Sequence, residues 1–260
     1  MEYDKVSERG NVLFLILIAV VLFAALSYAV TRSTQSSGNI NEEEASLAAS
    51  QITQYATLIN QSVIRLKAIS GCSDTDISFH YDSNGNGTLE TDGSDNYYNN
   101  TVTNNDCYVF HPDGAGLAYI PPKLEWLDGV NSAQNHYGEI YFTSRACIPY
   151  VGTGEGPCNS SGDDEELMMY IPYINQTLCQ KLAEKFEVVQ PGGAVPIDDT
   201  SAWYDNNYFV GTYSNGAKLS NNVGSDTSET INGSFSGCFE GGGGVPASGT
   251  YHFYNVVIAR

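Results

Sequence analysis

The chain has 260 residues, a formal net charge of −19 and six cysteines, with 42% hydrophobic and only 16% charged residues. That length fits one or two domains with a real core, and the acidic balance repels a phosphate backbone, which argues against nucleic acid as a partner. A composition rich in Asn, Ser, Thr, Gly and Tyr is that of an exported β-rich protein rather than a disordered tail. In chain order, the charged stretch Glu2–Arg9 runs into Val12–Val30, which carries no charge. As a helix this run reaches about 28 Å at 1.5 Å per residue, close to the ~30 Å hydrocarbon core of a bilayer. Residues 11–31 are therefore expected to form a transmembrane helix. Two readings compete with a working helix: a plain anchor, and a secretory signal peptide cut after Ala29 in Ser27-Tyr28-Ala29.

Arg9-Gly10 followed at once by Asn11-Val12-Leu13-Phe14-Leu15 and the apolar run resembles the N-terminus of type IV pilin-like proteins, minor pilins and minor pseudopilins above all. That resemblance implies a cytoplasmic leader, residues 1–10, cleaved after Gly10 to leave Asn11 as the new N-terminus. It also implies a helix held in the membrane and packed against other pilin-like subunits. The acidic residue of major pilins, fifth after the cut, is Leu15 here, which points to a minor component.

Residues 32–70 read as a linker and an amphipathic helix. Ser33–Asn39 is a polar break, and Asn41-Glu42-Glu43-Glu44 supplies a cap residue followed by acids where a helix N-terminus favours them. Ala48, Ile52, Tyr55, Ile59, Val63 and Leu66 then recur at helical spacing over 41–70. From Gly71 onward the period changes, and residues 71–260 read as an extracytoplasmic head. Strands are expected at Ile77–Tyr81, Cys107–Phe110, Leu117–Ile120, Glu139–Thr143, Leu167–Ile171, Tyr208–Tyr213 and Tyr251–Ile258. A second helix is expected at Tyr173–Glu187, with Pro172 at its start, and Ser220–Gly237 and Gly241–Gly244 as surface loops. The predicted fold class is α+β: a long N-terminal helix, half in the membrane and half amphipathic, before a mainly antiparallel, disulfide-bonded head.

Cys72, Cys107, Cys147, Cys158, Cys179 and Cys238 all follow the apolar run, an even number that suggests up to three disulfides in an oxidising compartment. Six cysteines allow fifteen connectivities; the favoured set is Cys147–Cys158, Cys72–Cys107 and Cys179–Cys238. No CxxC pair marks a zinc or redox site.

The sharpest local motif is Asp82-Ser83-Asn84-Gly85-Asn86-Gly87-Thr88-Leu89-Glu90. Oxygen side chains at Asp82, Asn84, Asn86 and Glu90, with Thr88 between, have the spacing that wraps a hard cation such as Ca2+. The carboxylate expected at the twelfth position is Gly93, so Asp92 or Asp95 must substitute. The competing reading is a turn, because Asn-Gly pairs commonly close hairpins. Asp163-Asp164-Glu165-Glu166 reads as a solvated turn. His80, His111, His136 and His252 are scattered, and Phe110–Gly116 has a His/Asp pair without a nucleophile motif, so no catalytic residue is assigned and an enzyme is not expected. Gly152–Gly156 lacks the lysine of a phosphate loop, and the Asn-x-Ser/Thr triplets at Asn99, Asn175 and Asn232 are expected by chance.

The sequence thus predicts a minor, membrane-anchored pilin-like component of a filament or secretion pseudopilus. It would lie single-pass in the cytoplasmic membrane with its N-terminus inside and its head periplasmic or extracellular. The alternative is a single-pass or secreted extracytoplasmic binding protein, calcium-dependent if the loop at 82–95 holds a cation, with no filament role.

Overall fold

Asn41 opens the head's first long helix as its composition dictates: its side-chain oxygen accepts from the Glu44 N–H at 2.9 Å, and Glu42, Glu43 and Glu44 fill the positive first turn. The computed structural model describes residues 14–24, 41–91, 95–102, 105–152, 165–198, 208–213, 217–218 and 230–260. They fall into two units, Met1–Asn39 and Ile40–Arg260.

In the first unit, helix α1 covers residues 14–24. Among the described residues no helix is long and apolar enough to cross a membrane. This overturns the transmembrane helix expected at 11–31, the single-pass localisation with its membrane partner, and the long N-terminal helix of the predicted fold class. It also removes the support for a pilin-like filament role, which needs a long apolar helix to pack against other subunits. An uncharged run permits a spanning helix but does not by itself establish one. Gly10 and Asn11, the expected cleavage site, lie outside the described residues.

The second unit is α+β. Helix α2, Glu42–Arg65, buries Ala45, Ala48, Ala49, Ile52, Ala56, Ile59 and Val63 on one face. Its four buried alanines let the helix backbone lie close to what it packs against. A π-helical turn, Leu66–Ser70, follows, and Gly71 ends it in the left-handed region (φ 71°) that favours glycine. The sheet comprises β1 (Tyr141–Cys147), β2 (Glu166–Ile174), β3 (Ile197–Asp198), β4 (Ala217–Lys218), β5 (Ser236–Gly241) and β6 (Tyr251–Ile258). Helix α3, Gln176–Lys185, follows β2. The strand order is β3-β5-β6-β2-β1-β4. The long pairings β1–β2, β2–β6 and β5–β6 are antiparallel, and the short β1–β4 and β3–β5 pairings are parallel.

All nine residues of β2 are buried, because both faces of the sheet are covered. Leu167, Met169 and Ile171 join Phe142 and Phe253 in the core that α2 and α3 share. Met168 and Tyr170 turn to the other face, with Tyr141, Phe239, Tyr254 and Val256. This alternation is the period of two of a strand, seen here from a central position.

Several expectations are corrected. Pro172 lies within β2 rather than opening the second helix; Asn175 caps α3 instead, accepting from the Leu178 N–H at 2.9 Å. Ile77–Tyr81 and Cys107–Phe110 share only a bridge between Ser78 and Tyr108. Leu117–Ile120 and Tyr208–Tyr213 are not strands, whereas Ser236–Gly241, read partly as loop, is one.

A candidate apolar groove beside a self-closed loop

The disulfides set the frame. Cys72–Cys107 joins the turn that ends α2 to the following coil, and Cys179–Cys238 joins α3 to β5. Cys147 is disulfide-bonded as well, while Cys158, its expected partner, lies outside the described residues.

The loop at 82–90 closes on itself. The Asp82 carboxylate accepts from three backbone N–H groups: Gly85 (2.7 Å) and Asn86 (3.1 Å) on Oδ1, and Gly87 (2.6 Å) on Oδ2. The Asn84 and Asn86 amides donate to the two Glu90 oxygens at 3.0 and 2.7 Å. Thr88 donates through N–H and Oγ1 to Asn86 Oδ1. Asp95 ties the two ends of the loop together, accepting from Ser83 N–H, Ser83 Oγ and Glu90 N–H. Burial pushes the Asp95 carboxyl up, but these hydrogen bonds outweigh it and hold the pKa below the ordinary value. His80 is buried with Nε2 3.7 Å from Asp95 Oδ2, and burial lowers its pKa against the pull of that carboxylate. The predicted cation ligands Asp82, Asn84, Asn86, Thr88 and Glu90 are therefore brought together, each engaged with the loop itself. Asp92 lies outside the described residues, among which no group of three His, Cys, Asp or Glu side chains is placed to hold a metal ion.

The remaining sequence candidates among the described residues are engaged in packing or hydrogen bonds. His136 packs against Tyr141 and Tyr208 and pairs with Glu139, which also accepts from the Tyr208 hydroxyl at 3.2 Å. His252 is fully buried between Tyr173 and Phe239, accepting from Tyr173 N–H, and burial drops its pKa to about 3. His111 ties Asn105 and the Asp113 N–H into one turn. Glu165 and Glu166 are buried rather than solvated, and Glu166 accepts from the Ile148 N–H at 3.0 Å. The Asn99 side chain is fully buried in hydrogen bonds to Thr75 and Thr101, and Asn175 is consumed as a cap, so neither triplet presents a sugar acceptor.

The site that the motifs miss is a groove of about 260 Å³ between α2 and the segment 120–126. Tyr55, Leu58, Ile120, Pro121 and Trp126 form its walls, Ile140 and Ile171 lie deeper, and Gln51, Gln54 and Lys123 bring polar groups to it. Two anchors fix the walls in place. The Tyr55 hydroxyl donates to Ala118 O (2.9 Å) and accepts from Ile120 N–H (3.1 Å), pinning the segment to α2; burial raises its pKa to about 12. Asn175 fixes the other end: its N–H donates to Trp126 O at 2.8 Å and its side-chain amide donates to the same oxygen at 3.1 Å. The Lys123 ammonium lies 5.2 Å from the Trp126 ring centre. Leu58 and Ile120 are 47% and 56% exposed, so large apolar surface stays open to solvent here. The sequence hints at this only through Leu58, off the buried stripe, and the Pro121-Pro122 pair near Trp126.

No family model, no curated protein and no solved structure matches this chain.

Proposed function

We propose that this chain is an exported binding protein, and that the groove between α2 and residues 120–126 takes a small apolar ligand. The carrying observation is the groove itself: apolar walls with few polar groups, close in volume to the roughly 300–1,000 Å³ of small-molecule sites. The disulfides support export, since such bonds persist in oxidising compartments. The anionic surface keeps nucleic acid away and leaves apolar contact as the source of affinity.

The test is titration with the uncharged apolar fluorophore N-phenyl-1-naphthylamine, following its emission and that of tryptophan. One saturable site is expected in the parent and none in Leu58→Arg or Ile120→Arg, both exposed positions whose change leaves the fold intact. Binding that is absent in the parent, or unaltered in both variants, rejects the groove. Melts of the parent in millimolar calcium and in chelator test separately whether the loop at 82–90 holds a cation; coincident curves reject that reading.

A further inference from the structure

The self-closed loop carries chemistry that neither a cation nor the groove uses. Asn84-Gly85 and Asn86-Gly87 are two Asn-Gly bonds in tandem, all four residues exposed. Gly85 and Gly87 have φ of +74° and +87°, and a Cβ at either would meet nothing within 4 Å. The turn demands glycine at both places for its backbone. That choice also leaves each glycine nitrogen unhindered beside the asparagine side chain before it. We infer that Asn84-Gly85 and Asn86-Gly87 form a site of spontaneous deamidation, and that Asp82 is the group that restrains it.

The reaction needs only water. The glycine nitrogen attacks Cγ of the preceding asparagine, and the new N–C bond closes a succinimide ring. The Cγ–Nδ2 bond breaks, and Nδ2 leaves as ammonia with the proton lost by the glycine amide. Water then opens the ring at either carbonyl to give aspartate or isoaspartate; no atom changes oxidation state, and each event adds one negative charge.

To attack, each glycine nitrogen must lose the proton it now shares with Asp82: Gly85 N–H with Oδ1 at 2.7 Å and Gly87 N–H with Oδ2 at 2.6 Å. A carboxylate at that distance disfavours the developing amide anion, and each hydrogen bond must break before its nitrogen can bond to Cγ. Both barriers come from one side chain. Glu90 contributes differently, holding the Nδ2 groups that would leave, at 3.0 and 2.7 Å. Once either asparagine is converted, a second carboxylate faces Glu90 where an amide donor stood, and that contact turns repulsive.

The test incubates the purified full chain in mildly alkaline buffer below its melting temperature, with peptide mapping by mass spectrometry and enzymatic isoaspartate labelling over time. Slow conversion is expected at Asn84 and Asn86 in the parent. Asp82→Ala should speed it about tenfold, because a hydrogen bond to a charged acceptor is of the size one decade requires. Asn232-Gly233 is the internal control: the Gly233 N–H is held by Pro149 O at 2.7 Å, so its rate should not respond. Glu90→Gln, which keeps the Asp82 contacts, should follow the parent far more closely than Asp82→Ala does. Equal rates in parent and Asp82→Ala, equal acceleration by Glu90→Gln, or no conversion at either asparagine in any variant overturns the inference.

Discussion

Two halves of the head reach order by different means. Residues 141–258 use backbone ladders: β2 lies between β1 and β6 in antiparallel register, with α3 and α2 packed on one face. Residues 71–140, among those described, have only isolated bridges and short 3₁₀ turns. There the order comes from side chains. Phe79 stacks on Phe142 with ring centres 3.8 Å apart, and Tyr81 on Tyr119 at 4.0 Å. Tyrosine hydroxyls stand in for a neighbouring strand where β1 begins. Tyr97 donates to Ile140 O and accepts from Phe142 N–H, and Tyr119 accepts from Ile140 N–H. A coil half held by rings and a disulfide gains less from cooperative pairing, so it should open first when one anchor is removed.

The largest expected effect is at Phe79, fully buried and in contact with Tyr97, Phe110, Phe142 and Phe209. Phe79→Ala should cost about 3–5 kcal/mol in denaturant melts. Amide exchange should rise across 77–119 well before it rises in β2 and β6; uniform loss over both halves would break the contrast. Next come the disulfides. Replacing Cys72 and Cys107 by alanine should cost about 2–5 kcal/mol and expose the coil half to proteolysis. The same change at Cys179 and Cys238 should lower stability while the ladder keeps its amide protection. If the second pair frees the sheet as readily as the first frees the coil, backbone pairing is not what distinguishes them.

Acid probes the sheet side. His252 has a folded pKa of about 3 against an ordinary 6.5, because burial disfavours its charged form. The unfolded chain therefore binds the proton more readily, and stability from this group is full above pH 6.5 and falls as pH drops toward about 3. At about 1.4 kcal/mol per pKa unit the loss amounts to a few kcal/mol. His80, lowered by burial too, works in the same direction in the coil half. Urea melts between pH 7 and pH 4 should show stability falling, with a shallower slope in His252→Gln; an unchanged slope would assign the acid response elsewhere.

The contrast also explains what the sequence revealed. The α2 stripe and β6 were legible because each obeys one period and ends at a clear cap or turn. Ser236–Gly241 was not: two glycines and a cysteine carry little strand propensity, and the segment is a strand because β6 and β3 pair with it. Ile77–Tyr81 failed the other way, its aromatic residues packing as rings without a ladder. The apolar run before Thr31 misled because hydropathy reports what a segment could bury and does not by itself establish a spanning helix. For the sites, the loop at 82–90 was readable because all its groups are local. The groove was not, since it joins α2 to residues 120–126 and to Ile140 and Ile171, a juxtaposition only the tertiary fold creates.

The smallest effect tests whether the two halves are coupled through α2. Asn41 caps that helix at an exposed end, accepting from the Glu44 N–H. Asn41→Ala should cost about 1 kcal/mol, because one helix N–H loses its partner but water can replace it. Asp or Ser at the same place should restore most of it. α2 contacts both halves, through Tyr55 to Ala118 and Ile120 and through Asn60 to Val256 and Asn255. Both of those contacts lie more than three turns beyond the cap. Fraying of the first turn should therefore leave the ring contacts of the coil half and the β6 ladder equally protected in amide exchange. A loss at residues 118–120 without one at 255–256 would show that the groove wall, unlike the sheet, depends on the helix keeping its full length.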